Sequence, residues 1–495
     1  MQNSWSPKPV IYELNTRVWL TELSRRYGYH INLYNVPDPV LDDLASYGFE
    51  SVWLMGIWTR GAATWRSALN YTHEYRYALP DLVADDVAGS AYAVHEYQVE
   101  PIIGGRDGLN LLRARLRARG IKLMLDFIPN HVATDHAWLQ TNPDYFVHRN
   151  QKALRRHPGL FFSTHDRKGR TYAAAHGRDP YFPSWIDTAQ LNAFDPSLRR
   201  AMIDTLIDIA GQCDAVRCDM AMLMTNGVFN QTWGGFIDDP TPATEYWEEI
   251  IPAVRAAYPD FLFVAEVYWG MEYTLLTQGF DYTYDKTLYD RLLSEEVGKI
   301  RVHLEAPTAF QQRQLRFIEN HDEPRAAAAF GIEKSKMAAA VVATLPGGLL
   351  LHDGQFEGRR VKLPVHLARQ PDETINEQLE AFYAELLSEA AAPIYRQGTW
   401  TLLATEYWTL LAYGWQSERD YRLILVNVTG VSVQDTVKLP GWQPSGALHT
   451  AFGVHSTHTL MDSALRVTLA PYETLILQAE RLSSAPVVTL LDTAR

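Results

Sequence analysis

An arginine and a carboxylate stand two residues apart near the middle of the chain, in the run Asp214-Ala-Val-Arg-Cys-Asp219. Because side chains i and i+2 of a strand share a face, we expect Arg217 and Asp219 to point the same way at the end of a buried strand. A cation on that face keeps a buried carboxylate ionised. An ionised, oriented carboxylate can act as a nucleophile, although a structural ion pair would show the same pattern.

A second carboxylate, Glu266, lies in the apolar and aromatic stretch Phe263–Trp269. Two carboxylates in one partly desolvated pocket titrate differently, because the one with a cation partner stays ionised and the other keeps its proton. We therefore expect Asp219 to be the ionised member and Glu266 to be the general acid. A nucleophile paired with an acid/base group is the arrangement used in retaining glycoside hydrolysis.

Two polar trios follow other apolar runs: Asp126 with Asn130 and His131, and Asn320-His321-Asp322. Histidines can donate to sugar hydroxyls, and one carboxylate can hold two hydroxyls. Such hydrogen bonds strengthen as the sugar ring flattens toward its transition state. A lone histidine at the start of a loop is more often structural, but two trios after separate strands favour a sugar-binding site.

The elements that must position these side chains repeat along the chain. A helical segment ends at a glycine or proline, an apolar strand follows, and a carboxylate comes after it, as in Leu198–Ala210 before Asp219 and Tyr246–Tyr258 before Glu266. This order is typical of parallel βα units, and a (β/α)8 barrel gathers its active site at the C-terminal ends of several strands. An open doubly wound sheet is the alternative, but no glycine-rich phosphate fingerprint supports it. We predict an α/β fold built on a (β/α)8 TIM barrel.

Two stretches interrupt this order and suggest further domains. Residues 132–184 are loop-like and rich in His, Arg, Asp and aromatic residues, which indicates an excursion after the third strand. From about Thr399, short β-type runs alternate with Gly, Pro and Asn turns, which predicts a C-terminal all-β sandwich. The predicted division is a catalytic barrel (1–131 and 185–395), an excursion subdomain (132–184), a C-terminal β-sandwich (396–482) and a tail (483–495).

Composition and charge argue against several classes of partner. The net charge is -13 and no basic cluster stands out, which disfavours nucleic acid and anionic membranes. Cys213 and Cys218 are too close along one extended run to pair, so we expect no disulfide framework. The N-terminus lacks the features of a signal peptide and no apolar stretch is long enough to cross a membrane, so we expect a cytoplasmic protein. The sequence indicates no particular oligomeric state.

As a set, these motifs resemble the signature segments of the α-amylase family of glycoside hydrolases. The segments that match in order and spacing are Asp126 with Asn130-His131, Arg217-Cys-Asp219, Glu266 after an apolar strand, and Asn320-His321-Asp322. Further segments that agree are Gly48–Leu54, Gln190-Leu-Asn192, and Pro346-Gly-Gly followed by Gly354–Gly358. The resemblance covers about residues 8–480, nearly the whole chain.

The resemblance implies a role for each matching side chain. Asp219 would be the nucleophile, Glu266 the acid/base, and Asp322 the group that holds two hydroxyls of the sugar at subsite −1. The remaining roles are these: Arg217 would orient Asp219, His131 and His321 would bind hydroxyls, Tyr92 would stack under the sugar, and Asp126 would be a structural carboxylate behind them.

The chain departs from the family at the leaving-group side and around a metal position. Met222 and Leu223 stand where members of the family often carry Lys-His, which removes polar contacts to the leaving group. Asn130 matches a common calcium-binding position, and Asp179 is a candidate partner for it. The family has calcium-bound and calcium-free members, so the resemblance requires no cofactor and leaves calcium as a candidate.

The leading hypothesis is a retaining α-glycoside hydrolase that cleaves α-1,4-glucosidic bonds in short α-glucan oligosaccharides through a covalent glycosyl-enzyme intermediate. The alternative is a transglycosylase or isomerase of the same family, such as an α-glucanotransferase or a trehalose-synthase type, which the apolar Met222 and Leu223 favour slightly. A non-catalytic binding relative is a third reading. The intact set of Asp219, Glu266 and Asp322 argues against it.

Overall fold

Eight parallel strands close into a barrel at the centre of the computed structural model, which describes residues 5–418, 420–439, 448–453, 457–461 and 463–480. In chain order they are β1 (Val10–Asn15), β2 (Ser51–Met55), β3 (Lys122–Phe127), β4 (Ala215–Cys218), β5 (Leu262–Ala265), β6 (Tyr282–Tyr284), β7 (Gln314–Arg316) and β8 (Gly348–His352). Strand β1 pairs in parallel with both β2 and β8, which closes the sheet. The predicted α/β fold with a (β/α)8 barrel is confirmed. The predicted tail 483–495 lies outside the described residues.

Helices cover the outside of the barrel. They are Thr16–Tyr27 and Asp38–Ser46 after β1; Gly105–Arg117 before β3; Pro196–Gln212 before β4; Asn226–Trp233 and Tyr246–Ala257 before β5; Glu272–Thr277 before β6; Lys286–Leu293, Val297–Leu304 and Thr308–Gln311 before β7; Ala326–Ala329 and Ile332–Thr344 before β8; and Glu377–Ala390 and Ile394–Gln397 after it. Because helices cover one face and the barrel interior the other, every residue of β4 and β5 is buried, which explains their apolar sequences. Gly211, which we expected to end a helix, lies inside Pro196–Gln212.

The excursion after β3 contains regular structure rather than only loops. Its strands His148–Arg149, Phe161–His165 and Thr171–Ala175 form one antiparallel sheet, and its helices are Trp138–Thr141 and Lys152–Arg156. A separate pair of strands, His131–Ala133 and Thr188–Gln190, joins its two ends. The elements are two to five residues long, too short for a helical or strand period to stand out in the sequence.

A second insertion, which the sequence did not predict, occupies residues 56–104 between β2 and the helix Gly105–Arg117. It contains the antiparallel strands Trp58–Arg60 and Val94–Val99 and the helices Ala62–Leu69 and Thr72–Tyr75. Its small apolar core comprises Ala68, Tyr75, Leu79, Leu82 and Val87 together with Leu367, which belongs to the loop after β8.

The C-terminal residues form two antiparallel sheets. One has the strands Thr399–Leu402, Leu411–Gln416, Asp420–Val426, Thr474–Glu480 and His449–Phe452; the other has Val433–Lys438, Ala464–Leu469 and Thr457–Met461. Side chains from both sheets share one apolar core, as in a β-sandwich. Among the described residues, no helix is long and apolar enough to cross a membrane.

Candidate active site

The carboxylates singled out in the sequence meet at one end of the barrel. Asp219 directly follows β4, Glu266 directly follows β5, and Asp322 lies in the loop after β7. Asp126 lies two residues earlier than expected relative to its strand, inside β3 rather than after it. Because all eight strands are parallel, these positions share the C-terminal face of the barrel.

The guanidinium of Arg217 connects these carboxylates. It is completely buried, and its Nη1 donates a 2.8 Å hydrogen bond to Oδ1 of Asp219. Its Nη2 lies 2.8 Å from Oε2 of Glu266 and 3.7 Å from Oδ2 of Asp322. Its Nη1 lies 3.9 Å from Oδ1 of Asp126. The shared face predicted for Arg217 and Asp219 is therefore observed, but Glu266 also has a cation beside it.

The two carboxylates differ in how they contact this cation. Asp219 accepts an aligned hydrogen bond from Nη1 of Arg217. Nη2 of Arg217 has no aligned hydrogen-bond acceptor among the described residues, so the contact between Nη2 and Glu266 is an ion pair without a hydrogen bond. Burial raises the pKa of Glu266 to about 7, although Arg217 lowers it. Burial also raises the pKa of Asp219, against the charge and hydrogen bond of Arg217. The aligned hydrogen bond favours the ionised form of Asp219, which leaves the proton on Glu266.

Two donors hold the carboxyl group of Glu266 in place. The backbone N–H of Met220 donates to Oε2 at 2.6 Å, and the hydroxyl of Tyr268 donates to Oε1 at 2.8 Å. Met220 adopts a left-handed backbone with φ of 44°, which aims its N–H at the neighbouring strand end. Tyr268 was not among the residues predicted from the sequence, although its position two residues after Glu266 places it on the same face of an extended segment.

His321 organises the opposite side of the site. Its Nε2 lies 3.0 Å from Oδ2 of Asp322 and 2.6 Å from the hydroxyl of Tyr92, and the Tyr92 ring stacks on it with centroids 5.2 Å apart. Its Nδ1 lies 2.5 Å from Oε1 of Glu13. Burial lowers the pKa of His321, but the carboxylates of Asp322 and Glu13 outweigh it and raise the pKa to about 10. His321 in turn holds the pKa of Asp322 well below its usual range.

Glu13 is a second residue that the sequence analysis missed. It lies in β1, is fully buried, and its Oε2 has no hydrogen-bond partner among the described residues. The signal was present, because Glu13 is the one carboxylate within the otherwise apolar run Val10–Leu14. A buried carboxylate is costly unless it is paired, so its pairing with His321 explains its place in the strand.

Asp126 and His131 lie behind and beside this group. Asp126 accepts a 3.1 Å hydrogen bond from the N–H of Gly56, and burial raises its pKa to about 7. His131 is buried next to the backbone of Tyr92, and its ring centroid lies 5.1 Å from that of Trp185. Burial lowers the pKa of His131 to about 4, so at neutral pH it is an uncharged imidazole that can donate to or accept from a hydroxyl.

The candidate calcium ligands do not fit a calcium site. Oδ1 of Asn130 accepts a 2.9 Å hydrogen bond from Gln190, and Oδ1 of Asp179 accepts hydrogen bonds from the N–H groups of Tyr181 and Phe182. Calcium takes six to eight oxygen ligands. Within the described residues, no group of three or more His, Cys, Asp or Glu side chains is arranged to hold a metal ion.

Met222 and Leu223 lie close in sequence to the nucleophile and are buried. They lie in the short 3-10 turn Ala221–Met224, whose four residues are all buried. The loop after Glu266 presents an aromatic side chain, Trp269, which is 41% exposed and whose ring centroid lies 4.9 Å from that of Tyr181.

Comparisons with known proteins agree with this geometry. A family model for the α-amylase catalytic domain matches residues 40–385. The α-amylase MalA of Haloarcula japonica is 22% identical over 405 residues, which cover 78% of this chain and 49% of that protein. The chain spans about half the length of the curated relatives that it matches over most of its length.

Two solved structures show the same fold along the whole chain. A noncanonic maltogenic α-amylase, AmyB, from Thermotoga neapolitana superimposes with a TM-score of 0.69 at 19% identity, over 96% of this chain and 99% of that one. An acarbose-soaked debranching enzyme from Nostoc punctiforme gives 0.67 at 18% identity, over 96% and 98%. The family model matches well over half of the chain, and the matched residues include Asp219, Glu266 and Asp322, which surround one arginine. We therefore conclude that this chain belongs to the α-amylase family of glycoside hydrolases.

Proposed function

We propose that the protein is a retaining α-glycoside hydrolase that cleaves α-1,4-glucosidic bonds in short α-glucans. The observation that carries this proposal is the buried guanidinium of Arg217, which lies 2.8 Å from both Asp219 and Glu266. It holds one hydrogen-bonded carboxylate and one carboxyl group with a pKa of about 7 in a single site. Membership of the α-amylase family supports the choice of substrate. A cytoplasmic location remains a prediction from the sequence.

In the first step, Asp219 attacks the anomeric carbon of the sugar in subsite −1 while Glu266 gives its proton to the departing glycosidic oxygen. The products of this step are a covalent β-glycosyl ester of Asp219 and a free shortened glucan. In the second step, Glu266, now ionised, takes a proton from a water molecule that attacks the same carbon. The sugar leaves with its original anomeric configuration, and both carboxyl groups return to their starting forms.

Asp322, His321 and Tyr92 are placed to hold the sugar during both steps. The low pKa of Asp322 keeps it an acceptor for two hydroxyls, and the protonated His321, which lies between Asp322 and Glu13, keeps the carboxylate of Asp322 ionised. The positive charge that develops on the ring is stabilised by the carboxylate of Asp322, which needs no rearrangement because its partner His321 is held on both of its nitrogens.

A transglycosylase of the same family would use the same residues and differ in the acceptor. The sequence argument for it rests on Met222 and Leu223, which are 0% and 3% exposed. The exposed pair Tyr181 and Trp269 can stack on a departing or an incoming sugar, so this pair does not favour either reaction. Proton NMR with maltoheptaose distinguishes the two, since only hydrolysis yields a net increase in reducing ends.

Replacing the nucleophile should abolish this reaction. In Asp219→Asn, turnover of maltoheptaose should fall by about 10⁴-fold or more, because an amide cannot form the ester intermediate. Time-resolved proton NMR should show new reducing ends appearing first as α-anomers with the unaltered protein only. The matched control is Asp208→Asn, which breaks a surface pair with Arg106 and should leave the rate unchanged. Near-normal activity of Asp219→Asn would refute the assignment.

The acid role of Glu266 gives a defined pH dependence. The group must be protonated to donate, so kcat/KM should decrease as the pH rises through about 7, the pKa of Glu266. In Glu266→Gln this alkaline limb should disappear. The variant should also lose much less activity with α-glucosyl fluoride, whose leaving group needs no proton, than with maltoheptaose. Equal losses on the two substrates, or an unchanged alkaline limb, would contradict the assignment.

The pairing of Glu13 with His321 should contribute to catalysis. Glu13→Gln keeps the shape but removes the charge, so the pKa of His321 should fall and kcat/KM should drop by about 10- to 100-fold, as for other residues that orient a ligand-binding histidine. Histidine-ring NMR should show His321 titrating at lower pH in the variant. The control Glu50→Gln, which removes a carboxylate paired with Lys122, should change neither the titration nor the rate. An unchanged His321 titration in Glu13→Gln would disprove the coupling.

Metal removal should have no effect on the enzyme. Because Oδ1 of Asn130 and Oδ1 of Asp179 accept hydrogen bonds, and no cluster of metal-binding side chains lies among the described residues, dialysis against EDTA should leave both the rate with maltoheptaose and the Tm unchanged. If the rate or the Tm fell on dialysis and added CaCl2 restored it, the protein would have a calcium site, which would contradict this prediction.

A further inference from the structure

The excursion after β3 carries a concentration of positive charge in an acidic chain. Residues 148–170 contain seven arginine and lysine residues and one carboxylate, whereas the net charge of the whole chain is -13. Five of these cations are exposed and are here called the basic surface: Lys152, Arg155, Arg156, Arg167 and Lys168. The basic surface was not predicted from the sequence, because its members are spread over two short segments and the rest of the chain is acidic.

The five cations of the basic surface lack the carboxylate partners that other exposed arginines have. Among the described residues, none of the five forms an ion pair. Carboxylates beside the segment are engaged elsewhere: Asp144 with His148, Asp238 with Arg149, and Asp166 with Arg170. By contrast, the exposed Arg106 on the barrel pairs with Asp208 at 2.9 Å. Like charges without partners repel each other, so packing of the fold does not account for this cluster.

A fixed turn presents Arg167 and Lys168. Oδ1 of Asp166 accepts hydrogen bonds from the N–H of Lys168 at 2.8 Å and from the N–H of Arg170 at 2.9 Å. The N–H of Arg167 donates to the carbonyl of Gln140 at 3.0 Å. The backbone of the turn is therefore ordered before any ligand arrives, which lowers the entropy lost on binding.

The other three cations lie on the helix Lys152–Arg156. They are spaced three and four residues from its first position, so they lie near one another on the helix surface. Ala153 is buried in the apolar core, which directs the cations outward. Gln151 precedes the helix, and its side chain donates to Oγ of Ser163 at 3.0 Å and to the carbonyl of Tyr172 at 2.8 Å. The helix is thus attached to the sheet of the excursion.

One strand of that sheet connects the basic surface with the active site. Thr171–Ala175 follows the turn directly and leads to Gly177, where a Cβ atom would lie 3.0 Å from that of His131. The N–H of His176 donates to the carbonyl of Leu160 at 2.9 Å, which brings the segment after the helix to the same end of the strand. At about 3.3 Å per residue, the five residues of the strand separate its two ends by roughly 16 Å. The basic surface therefore extends outward from beside the active site.

The ligand of this surface must be anionic and extended. A phosphate monoester carries about −1.5 to −2 charges at neutral pH, and several of them along one chain match cations that are spread along a sheet. Proteins that bind single-stranded nucleic acid combine cations with exposed aromatic side chains on which bases stack. The described residues 148–170 expose no large apolar side chain, so the surface fits phosphate groups on a sugar chain better than nucleic acid.

We propose that the basic surface binds phosphate groups along an α-glucan whose reacting glucose unit lies in the active site, so that the enzyme prefers phosphorylated glucans to neutral ones. Because the chain as a whole is acidic, an anionic substrate is repelled by most of the protein and attracted here, which steers it toward the mouth of the barrel. This inference rests on the proposed function and deepens it by naming the class of glucan. The catalytic steps are unchanged.

The test compares maltodextrin that carries phosphate monoesters with the same maltodextrin after phosphatase treatment. In about 20 mM NaCl, kcat/KM of the unaltered protein should be about 10-fold higher for the phosphorylated form, because electrostatic steering raises the association rate. In about 500 mM NaCl the preference should disappear, because salt screens exposed charges. Equal values of kcat/KM at low salt, or a higher value for the neutral form, would overturn the inference.

Charge-reversal variants test the surface directly. Arg155→Glu/Arg156→Glu should abolish the preference at low salt and leave kcat/KM for the phosphatase-treated maltodextrin unchanged. Arg167→Glu/Lys168→Glu should do the same from the other end of the surface.

The matched control is Arg25→Glu/Arg26→Glu, which reverses two neighbouring exposed arginines on the helix Thr16–Tyr27 and changes the net charge by the same amount. It should keep the preference. A preference that persists in both variants of the basic surface, each with the circular dichroism spectrum of the unaltered protein, would overturn the inference. So would a preference that the control loses equally.

An oligonucleotide distinguishes a phosphorylated glucan from another polyanion. Fluorescence anisotropy with the inactive Asp219→Asn variant measures the Kd of labelled phosphorylated maltodextrin and of labelled oligothymidylate with the same number of phosphates. The maltodextrin should bind at least about 10-fold more tightly, because the active site holds its glucose units while the basic surface holds its phosphates. Equal or tighter binding of the oligonucleotide would show that the surface binds nucleic acid and would overturn the inference.

The neutral substrates separate a failure of this inference from a failure of the proposed function. Phosphatase-treated maltodextrin and α-glucosyl fluoride require Asp219 and Glu266 but carry no phosphate. Turnover of both without any preference for the phosphorylated maltodextrin would leave the hydrolase standing and overturn the inference. Inactivity toward all three substrates would overturn the proposed function and, with it, this inference.

Discussion

The buried guanidinium of Arg217 is the group on which the rest of the site depends. It has no contact with solvent, and the nearest compensation for its charge comes from carboxylates on β4 and β5. Leaving a buried charge without a partner costs several kcal/mol, so a rearrangement that separated the ends of β4 and β5 would raise the free energy of the folded protein. Aromatic faces add to this: the rings of Trp53, Tyr92 and Tyr284 lie 5.3–5.8 Å from the guanidinium carbon. The charge therefore holds the carboxylates close together.

The same cation allows two chemically identical groups to do different work. Asp219 accepts a hydrogen bond from Arg217. Glu266 lies close to Arg217 but accepts its hydrogen bonds from Met220 and Tyr268. On the far side, His321 carries a second positive charge between two further carboxylates, Glu13 and Asp322. Alternating positive and negative groups run across the barrel from β5 to β1. This alternation is what permits so many titratable side chains to be buried at one place.

Much of the site was predictable because each motif follows an apolar strand, and parallel strands bring their C-terminal ends together. The paired placement of Arg217 and Asp219 followed from strand alternation alone. The cation contact of Glu266 did not, since it crosses from one strand to the next. The calcium ligands suggested for Asn130 and Asp179 came from resemblance, and local hydrogen bonds engage both side chains instead.

Other parts of the fold were not predictable from local patterns. Strand β6, Tyr282–Tyr284, has only three residues and no apolar run, so it gave no signal by itself; its place is fixed by pairing with β5 and β7. The insertion 56–104 was missed because its core includes Leu367, almost 300 positions away, and neither segment is distinctly apolar alone. Glu13 stands out locally as a carboxylate in an apolar run, but its role depends on His321, which is 308 positions away. The local periodicity of a sequence does not reveal contacts between distant segments.

The contact between Glu13 and His321 joins residues 308 positions apart, and β1 and β8 complete the barrel only when the first and last strands meet. Loop closure over such distances makes folding slow, because the entropy must be lost before the contact forms. Synthesis delivers the N-terminal strand first, and its buried carboxylate gains its hydrogen-bonded cation only when residue 321 emerges. The histidine that pairs with β1 also lies in the active site, so a chain interrupted before β7 would lack both this pairing and Asp322. Acquisition of activity during folding therefore coincides with closure of the barrel.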